Sequence, residues 1–322
     1  MLLALSTLLG FGAAGSAEPA KDGPTGKPIV FAAVPDASPR GGPRCGNEGD
    51  PEIFTMAPDG SDLQRLTDNR LHEITPAWSP DHTQIVFAAA PPISRAPAFD
   101  RDLFVMSADG TQLRRLTDGP GQDGFPAWAP EGDLIAFVRQ FPQHRGVSSS
   151  NDKRALMLLR PNGSTARRLT RPRSHAGDLA PTWSAEGSGI AYSRDRYPGP
   201  VSRLVIGAPA PGAPGRTVVR DRRRVLSSPD WSPDGSWILY TAFRTEARLE
   251  RVSADGSSRR VLLSEGWAAE PTDPAWSPRG DRIAYMGTMK SCLRHVYRMR
   301  ADGGGPRDLL RGRDLEVHSL DW

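Results

Sequence analysis

Six tryptophans recur along the chain at nearly regular intervals. Successive gaps are 50, 55, 48, 45 and 46 residues, and the residues around each tryptophan are similar. A period of this length is the signature of a repeat architecture, in which each unit is one small group of secondary-structure elements. The recurring residues are Trp78, Trp128, Trp183, Trp231, Trp276 and Trp322.

Each repeat contains four short apolar or alternating segments separated by turn residues. In the repeat that begins at Pro76, they lie at 76–78, 85–87, 102–106 and 113–117. Asp109-Gly110 separates the last two, and Asp-Gly between such segments is a strong hairpin signal, typical of a type I′ turn with positive φ at both central residues. We therefore predict four antiparallel strands, A to D, in every repeat.

The chain does not begin at the start of a repeat. Its first segment, Ile29-Val30-Phe31, corresponds to strand B, and its last, Leu320-Asp321-Trp322, corresponds to strand A. A linear array would leave both fragments with unpaired edges, whereas a ring lets the last strand complete the first sheet. We predict an all-β, six-bladed β-propeller of four-stranded antiparallel blades, closed by pairing of the C-terminal strand with the N-terminal strands. One tryptophan per blade is expected in the core.

Two motifs connect the repeats to a known family. Trp-Ser-Pro-Asp-Gly at 231–235 has relatives at the other tryptophans, and Arg-Leu-Thr ends the repeats at 65–67, 115–117 and 168–170. Both resemble the repeat of the TolB-type propeller family. The resemblance covers about residues 28–322 and concerns the propeller part only, without the N-terminal α/β domain of TolB.

The N-terminal residues predict export. Residues 1–17 are apolar, uncharged and end in small residues, and the run is too short for a spanning helix. We interpret 1–17 as a signal peptide, 18–27 as a linker and 28–322 as the propeller, in an exported protein (periplasmic or extracellular) with no transmembrane segment. The alternative is an uncleaved apolar leader or a membrane anchor.

The two cysteines, Cys45 and Cys292, fall in loops of neighbouring blades on the same face of the predicted ring. An oxidising compartment permits a disulfide between them, which we predict, with two free thiols as the alternative.

The charge balance does not favour nucleic acid as a partner. The chain has 41 Lys and Arg against 37 Asp and Glu, and acidic residues are interspersed throughout. Nucleic-acid binding requires basic groups on one face with interleaved aromatics. Arg222-Arg223-Arg224 is the one local basic run, and we interpret it as a solvated loop.

Strand order places the short A–B and C–D turns on one face and the longer B–C and D–A loops on the other, the long-loop face. Variable loops on a rigid scaffold are where binding residues concentrate, so we expect the long-loop face to bind the partner. Its candidate binding residues are His72, Arg139, His175, Arg194, Tyr197, Arg244 and His318.

Three acidic residues, Glu73, Asp123 and Asp178, each precede a recurring tryptophan by five residues. This common offset predicts three carboxylates near the channel mouth, and a hard cation such as calcium prefers several oxygen ligands. We expect no cofactor, with a channel calcium ion as the alternative.

The chain lacks the common nucleophile-elbow and phosphate-loop motifs. We therefore predict a monomeric, exported, non-enzymatic scaffold that binds a protein or peptide. An envelope-associated partner is one form of this hypothesis. The alternative is a glycan lyase or hydrolase, or a ligand-sensing module, with its site at the channel mouth. An enzyme would require His72, His175, His318 and Arg194 to converge there.

Overall fold

A computed structural model describes residues 26–35, 49–91, 101–119, 121–141, 153–172, 176–196, 201–264, 269–288 and 293–322. Within these ranges the chain consists of β-strands and turns, with no helix. The predicted all-β propeller fold is confirmed.

Four sheets have four antiparallel strands each, ordered A to D from the centre of the ring outward. The first contains β24 (Leu315–Asp321), β1 (Ile29–Pro35), β2 (Glu52–Met56) and β3 (Gln64–Arg65). The second contains β4 (His72–Trp78), β5 (Gln84–Ala90), β6 (Asp102–Ser107) and β7 (Arg114–Arg115). The third contains β16 (Val225–Trp231), β17 (Trp237–Phe243), β18 (Ala247–Ser253) and β19 (Arg259–Leu263). The fourth contains β20 (Ala269–Trp276), β21 (Arg282–Thr288), β22 (Arg294–Arg300) and β23 (Arg307–Asp308).

The remaining eight strands belong to one sheet. They are β8 (Gln122–Trp128), β9 (Ile135–Phe141), β10 (Lys153–Leu159), β11 (Arg167–Arg168), β12 (Ala176–Trp183), β13 (Ile190–Arg196), β14 (Val201–Gly207) and β15 (Arg216–Asp221).

The prediction of six separate four-stranded blades is therefore wrong: four sheets have that form, and one sheet has eight strands. The two halves of the large sheet join where β10 pairs with β12 in parallel, at Arg154 and Gly177. A Cβ atom at position 177 would lie 3.4 Å from the Cβ of Arg154, which is an ordinary van der Waals contact, so this pairing does not require glycine. The tryptophan period carries no information about this single parallel contact.

Pairing between the two ends of the described chain is confirmed. β24 lies antiparallel to β1, with a register that runs from Val30 opposite Asp321 to Pro35 opposite Leu315. The A strands β24, β4, β8, β12, β16 and β20 then contact one another in cyclic order. The ring is closed through backbone hydrogen bonds of its own terminal strand.

The core consists of apolar clusters between adjacent sheets. One cluster at the ring closure joins Phe31, Phe54 and Leu315, with side chains of β21 and β22 on the other side. The recurring tryptophans pack at such boundaries, and Trp78 and Trp183 are both buried. Their indole nitrogens donate to backbone oxygens of another segment, over 3.0 Å to Pro28 and 3.1 Å to Ala127. The core assignment of these two residues is confirmed.

The Arg-Leu-Thr motif holds the short D strands in place. Thr117 Oγ1 accepts a 2.9 Å hydrogen bond from the Leu103 backbone N–H, and Arg115 donates over 2.5 Å to the carboxylate of Asp102. Thr67 and Thr170 accept equivalent hydrogen bonds from the neighbouring C strands. The motif therefore replaces a long ladder of backbone hydrogen bonds that a two-residue strand cannot provide.

The Asp-Gly turns form hairpins, but they are not type I′ turns. At Asp109-Gly110 only the glycine has positive φ, at 83°, and the Asp109 carboxylate accepts the Thr111 backbone N–H over 2.9 Å. A Cβ atom at position 110 would lie 2.6 Å from the backbone oxygen of Leu66. Glycine is thus required by both the backbone angle and the contact with the neighbouring sheet.

We expect Leu315→Ala to destabilise the protein by about 2–5 kcal/mol, because it opens a cavity in the cluster at the ring closure. Urea denaturation followed by tryptophan fluorescence measures the loss. Leu113→Ala is the control. Because Leu113 is 45% exposed, this variant should lose less than about 0.5 kcal/mol of unfolding free energy. Equal midpoints for the two variants would contradict the role given to the ring closure.

Candidate functional site

The predicted site residues lie mostly in strands rather than in loops. His72 begins β4, Arg139 lies within β9, Arg194 lies within β13, and His318 lies within β24. Arg244 follows β17 directly and is the one member of this set that lies in a loop. Four further predicted residues, His175, Tyr197, Cys45 and Cys292, fall outside the described residues, and so does the predicted signal peptide.

Two of the predicted carboxylates form cross-strand ion pairs. Asp123 lies opposite Arg139 in the register, and Asp178 lies opposite Arg194. Both pairs are bidentate, with N–O distances of 2.7 and 2.6 Å in the first and 2.5 and 2.9 Å in the second. Both carboxylates are buried, whereas the arginines reach partly into solvent. These hydrogen bonds raise the pKa of both arginines, so both guanidinium groups remain protonated.

Glu73 has no arginine opposite it. The facing residue is Ala89, and the carboxylate instead accepts from Thr67 Oγ1 over 2.5 Å and from Asn69 Nδ2 over 2.7 Å. Glu73 is completely buried, and this burial raises its pKa to about 7. The same repeat position is thus an ion pair twice in the eight-stranded sheet and a buried acid without an arginine partner in the sheet of β4.

The three carboxylates do not gather around one point. Among the described residues no group of three or more histidine, cysteine, aspartate or glutamate side chains has the arrangement of a metal site. Glu73, Asp123 and Asp178 each have the partners described above. The channel calcium ion therefore stays a prediction without geometric support from these residues.

His72 and His318 are neighbours across the contact between β4 and β24. Their ring centroids are 6.4 Å apart at 80°, and His72 Nδ1 lies 3.8 Å from the Asp50 carboxylate. Burial lowers the pKa of His318 to about 4, and the charge of Arg294 acts in the same direction. Burial also lowers the pKa of His72. Both rings are consequently neutral at physiological pH.

The ring encloses a central channel with a volume of ≈ 330 Å³, lined by the A strands and the A–B turns. On five A strands the residue three positions before the tryptophan has positive φ and is followed by proline. These residues are Thr75, Phe125, Ala180, Ser228 and Asp273, with φ between 44° and 51°. Sequence reasoning overlooked this feature, although the recurring proline was visible at 76, 126, 181, 229 and 274.

Polar side chains join neighbouring A strands around this channel. Asp321 Oδ2 accepts the Trp78 backbone N–H over 2.8 Å, and Asp230 Oδ2 accepts the Trp276 backbone N–H over 2.7 Å. Ser228 donates to the carboxylate of Asp273. Burial raises the pKa of Asp230 to about 7, and the nearby charge of Asp321 adds to this effect. The channel wall is therefore acidic, and its acids also stabilise the ring.

A second cavity lies where β16 begins and β17 ends, at the long-loop face. It has a volume of ≈ 340 Å³ and is called the β16–β17 cleft below. Its lining residues are Arg222, Arg223, Val225, Phe243 and Arg244. Val225 lies directly opposite Phe243 in the register, and the two are 43% and 42% exposed. Sequence reasoning named Arg244 and interpreted 222–224 as solvated loop, but it did not bring these residues together.

Comparison with solved structures identifies the type of propeller. TolB from Acinetobacter baumannii superposes with a TM-score of 0.70 over 92% of this chain and 66% of its own, at 15% identity. The Tol-Pal system protein TolB of Anaeromyxobacter dehalogenans (strain 2CP-C) is 33% identical over 105 residues. The chain therefore has the fold of the TolB propeller, and a third of it is similar to TolB in sequence. No protein-family profile matches the chain.

An uncharacterized protein of Agrobacterium fabrum, Atu1656, is 36% identical over 193 residues, which are 53% of this chain and 58% of the relative. The match to Anaeromyxobacter TolB covers 33% of this chain and 23% of TolB. The chain thus spans less than two thirds of either relative. Its described residues contain no helix with the length and hydropathy of a membrane span.

We expect Glu73→Gln to remove a pH-dependent loss of stability. The pKa of Glu73 is about 7 when folded and 4.5 ordinarily, so the folded state binds the proton more tightly. This stabilisation is fully present below about pH 4.5 and is lost as pH rises to about 7. The free energy of unfolding of the variant, relative to that of the wild type, should therefore rise by up to about 3 kcal/mol between pH 4.5 and pH 8.

Urea denaturation at three pH values in this range measures that difference. Glu246→Gln, at an exposed glutamate, is the control and should show no trend. A constant difference between Glu73→Gln and wild type would show that folding does not raise the pKa of Glu73.

We expect Arg194→Met to cost about 3–5 kcal/mol, because it leaves the buried Asp178 carboxylate without its cation. The double variant Asp178→Asn with Arg194→Met should recover part of this loss, since it no longer buries a charge. Denaturation midpoints measure both effects, and Arg171→Met, at an exposed position, is the control. A double variant as unstable as the sum of the single variants would argue against a coupled pair.

Proposed function

We propose that the protein is an exported interaction scaffold that binds a protein or peptide partner on its long-loop face. The observation that carries this proposal is the exposed pair Val225 and Phe243 at the start of β16 and the end of β17. Large apolar side chains grouped at a surface are typical of interaction sites, whereas single ones are common everywhere.

The repeats provide an internal comparison for this pair. At the same register position of other sheets, His72 lies opposite Ala90, and Gln122 lies opposite Gln140. The fold therefore accepts polar or small residues at this end of strands A and B. An apolar pair here is not required for folding, which favours a role in binding.

The likeness to TolB supports the same proposal. The proteins that share this propeller type include one named for the Tol-Pal system, and a multiprotein system requires protein contacts. The apolar residues 1–17 and this likeness together support export to the periplasm or the cell exterior. A monomeric state and an envelope-associated partner belong to the same proposal.

The alternative, a glycan lyase or hydrolase, requires catalytic groups that converge at the channel mouth. Two of the residues that it would use, Arg194 and His318, have structural contacts in this protein: a bidentate ion pair with Asp178 and an edge contact with His72. No observation on the described residues favours this alternative over binding, and the ligand-sensing module likewise gains none.

We expect the double variant Val225→Ser with Phe243→Ser to lose at least about ten-fold in cross-linking to its partner in a solubilised envelope fraction, because burial of the two side chains drives the contact. Quantitative mass spectrometry of the cross-linked material measures this loss.

The matched control is Leu113→Ser with Val261→Ser, which removes two apolar side chains of similar exposure, 45% and 46%, away from the long-loop face. Circular dichroism should show both double variants folded. Loss of partners by the control variant, with retention by the variant of Val225 and Phe243, would place the binding surface elsewhere.

A further inference from the structure

The β16–β17 cleft has an excess of positive charge that the described residues do not neutralise. Residues 221–225 and 243–248 contain five arginines and two acids, a formal net charge of +3. Arg222, Arg223 and Arg244 all line the cleft. In the part of the chain that the structure describes, none of these three side chains forms an ion pair or a hydrogen bond.

The two acids of this region have other partners. Glu246 lies 3.6 Å from Arg248, and the Asp221 carboxylate lies 3.9 Å from Arg224 and 3.8 Å from Arg259. Both acids thus face arginines that do not line the cleft. The three cleft arginines are left for a ligand.

The backbone holds these arginines at the rim. Asp221 Oδ1 accepts the backbone N–H groups of Arg223 and Arg224 over 2.8 and 2.9 Å, which fixes the turn before β16. On the other side, the backbone N–H of Arg244 donates to the backbone carbonyl oxygen of Glu246 over 3.4 Å, in the turn between β17 and β18. Because both turns are short and bonded, the cleft is largely formed before a ligand arrives, and less conformational entropy is lost on binding.

We propose that the β16–β17 cleft binds an acidic peptide segment of a partner protein, with a large apolar side chain of that segment against Val225 and Phe243. Its carboxylates pair with Arg222, Arg223 and Arg244, whose planar guanidinium groups suit bidentate contacts with carboxylates. The inference rests on the proposed function and adds the chemistry of the ligand. A volume of ≈ 340 Å³ is within the range of about 300–1,000 Å³ for pockets that enclose small ligands.

The observations favour a peptide over other anionic partners. Single-stranded nucleic acid needs several aromatic side chains on which successive bases stack, and among the described lining residues of the cleft only Phe243 is aromatic. A lipid surface needs a wide apolar face, whereas here two apolar side chains lie among three arginines. An extended acidic segment with one apolar side chain matches both the charge and the size of the cleft.

The test uses the full chain and a fluorescein-labelled ten-residue peptide with six glutamates and two central leucines, followed by fluorescence anisotropy. Two comparison peptides replace the glutamates by glutamine or the leucines by serine. We expect saturable binding of the first peptide that weakens with added salt, and at least about five-fold weaker binding of both others. Equal binding of all three peptides would overturn the proposal.

Two variants locate the site. Arg222→Gln with Arg223→Gln and Arg244→Gln should weaken binding at least about ten-fold, since the variant loses three exposed ion pairs with the peptide. Phe243→Ser should also weaken it about ten-fold. The control, Arg171→Gln with Arg311→Gln and Arg313→Gln, removes three exposed arginines elsewhere on the long-loop face and should bind normally.

Other outcomes separate the two proposals. Binding lost equally in the control triple variant, or stronger binding to oligothymidine or to phosphatidylglycerol vesicles than to the peptide, would overturn the assignment of an acidic peptide. If the peptide fails to bind while the variant of Val225 and Phe243 still loses its envelope partner, only the chemistry of the ligand is wrong. If that variant keeps its partner, the proposed binding face is wrong, whatever the peptide does.

Discussion

The pairing of β24 with β1 is the contact on which the rest of the ring depends. It joins the last described strand to the first one, from Val30 and Asp321 at one end to Pro35 and Leu315 at the other. Without it, β1 would be a long apolar edge strand, with Ile29 to Ala33 fully buried in the native ring and exposed in an open one. Trp322 adds a further link, because its indole nitrogen donates over 2.9 Å to the Lys27 backbone oxygen.

Ring closure also explains why acids are buried along the channel wall. Neighbouring A strands do not pair with one another, and side chains such as Asp321 and Asp230 accept the backbone N–H groups of a tryptophan on the next A strand. A buried carboxylate is costly unless it is hydrogen-bonded, and the raised pKa of Asp230 reflects that cost. These channel acids therefore have a structural role even where they reach solvent.

The sequence predicted the repeated elements well because each has a local signal. Strands A to D, the hairpin at Asp109-Gly110 and the pairing of the terminal strands all follow from apolar periodicity and turn residues. The joined sheet could not be predicted, because its halves meet at a single parallel pair of residues, Arg154 and Gly177, and this pair has no local sequence signal. The partners of Asp123 and Asp178 were missed for a related reason: the offset from tryptophan placed the acids, but only the strand register shows Arg139 and Arg194 opposite them.

Comparison of equivalent positions in the repeats shows which residues the fold requires and which are particular to one sheet. Five residues before the tryptophan, β8 and β12 bury an aspartate against an arginine, whereas β16 buries Leu226 opposite Ala242. This position of the β16–β17 pair has no ionic contact. Three arginines, Arg222, Arg223 and Arg244, lie at the rim of the cleft instead, where no described acid pairs with them. In this sheet apolar packing takes the place of the buried ion pair. The positive groups lie at the rim, where they are available to a partner.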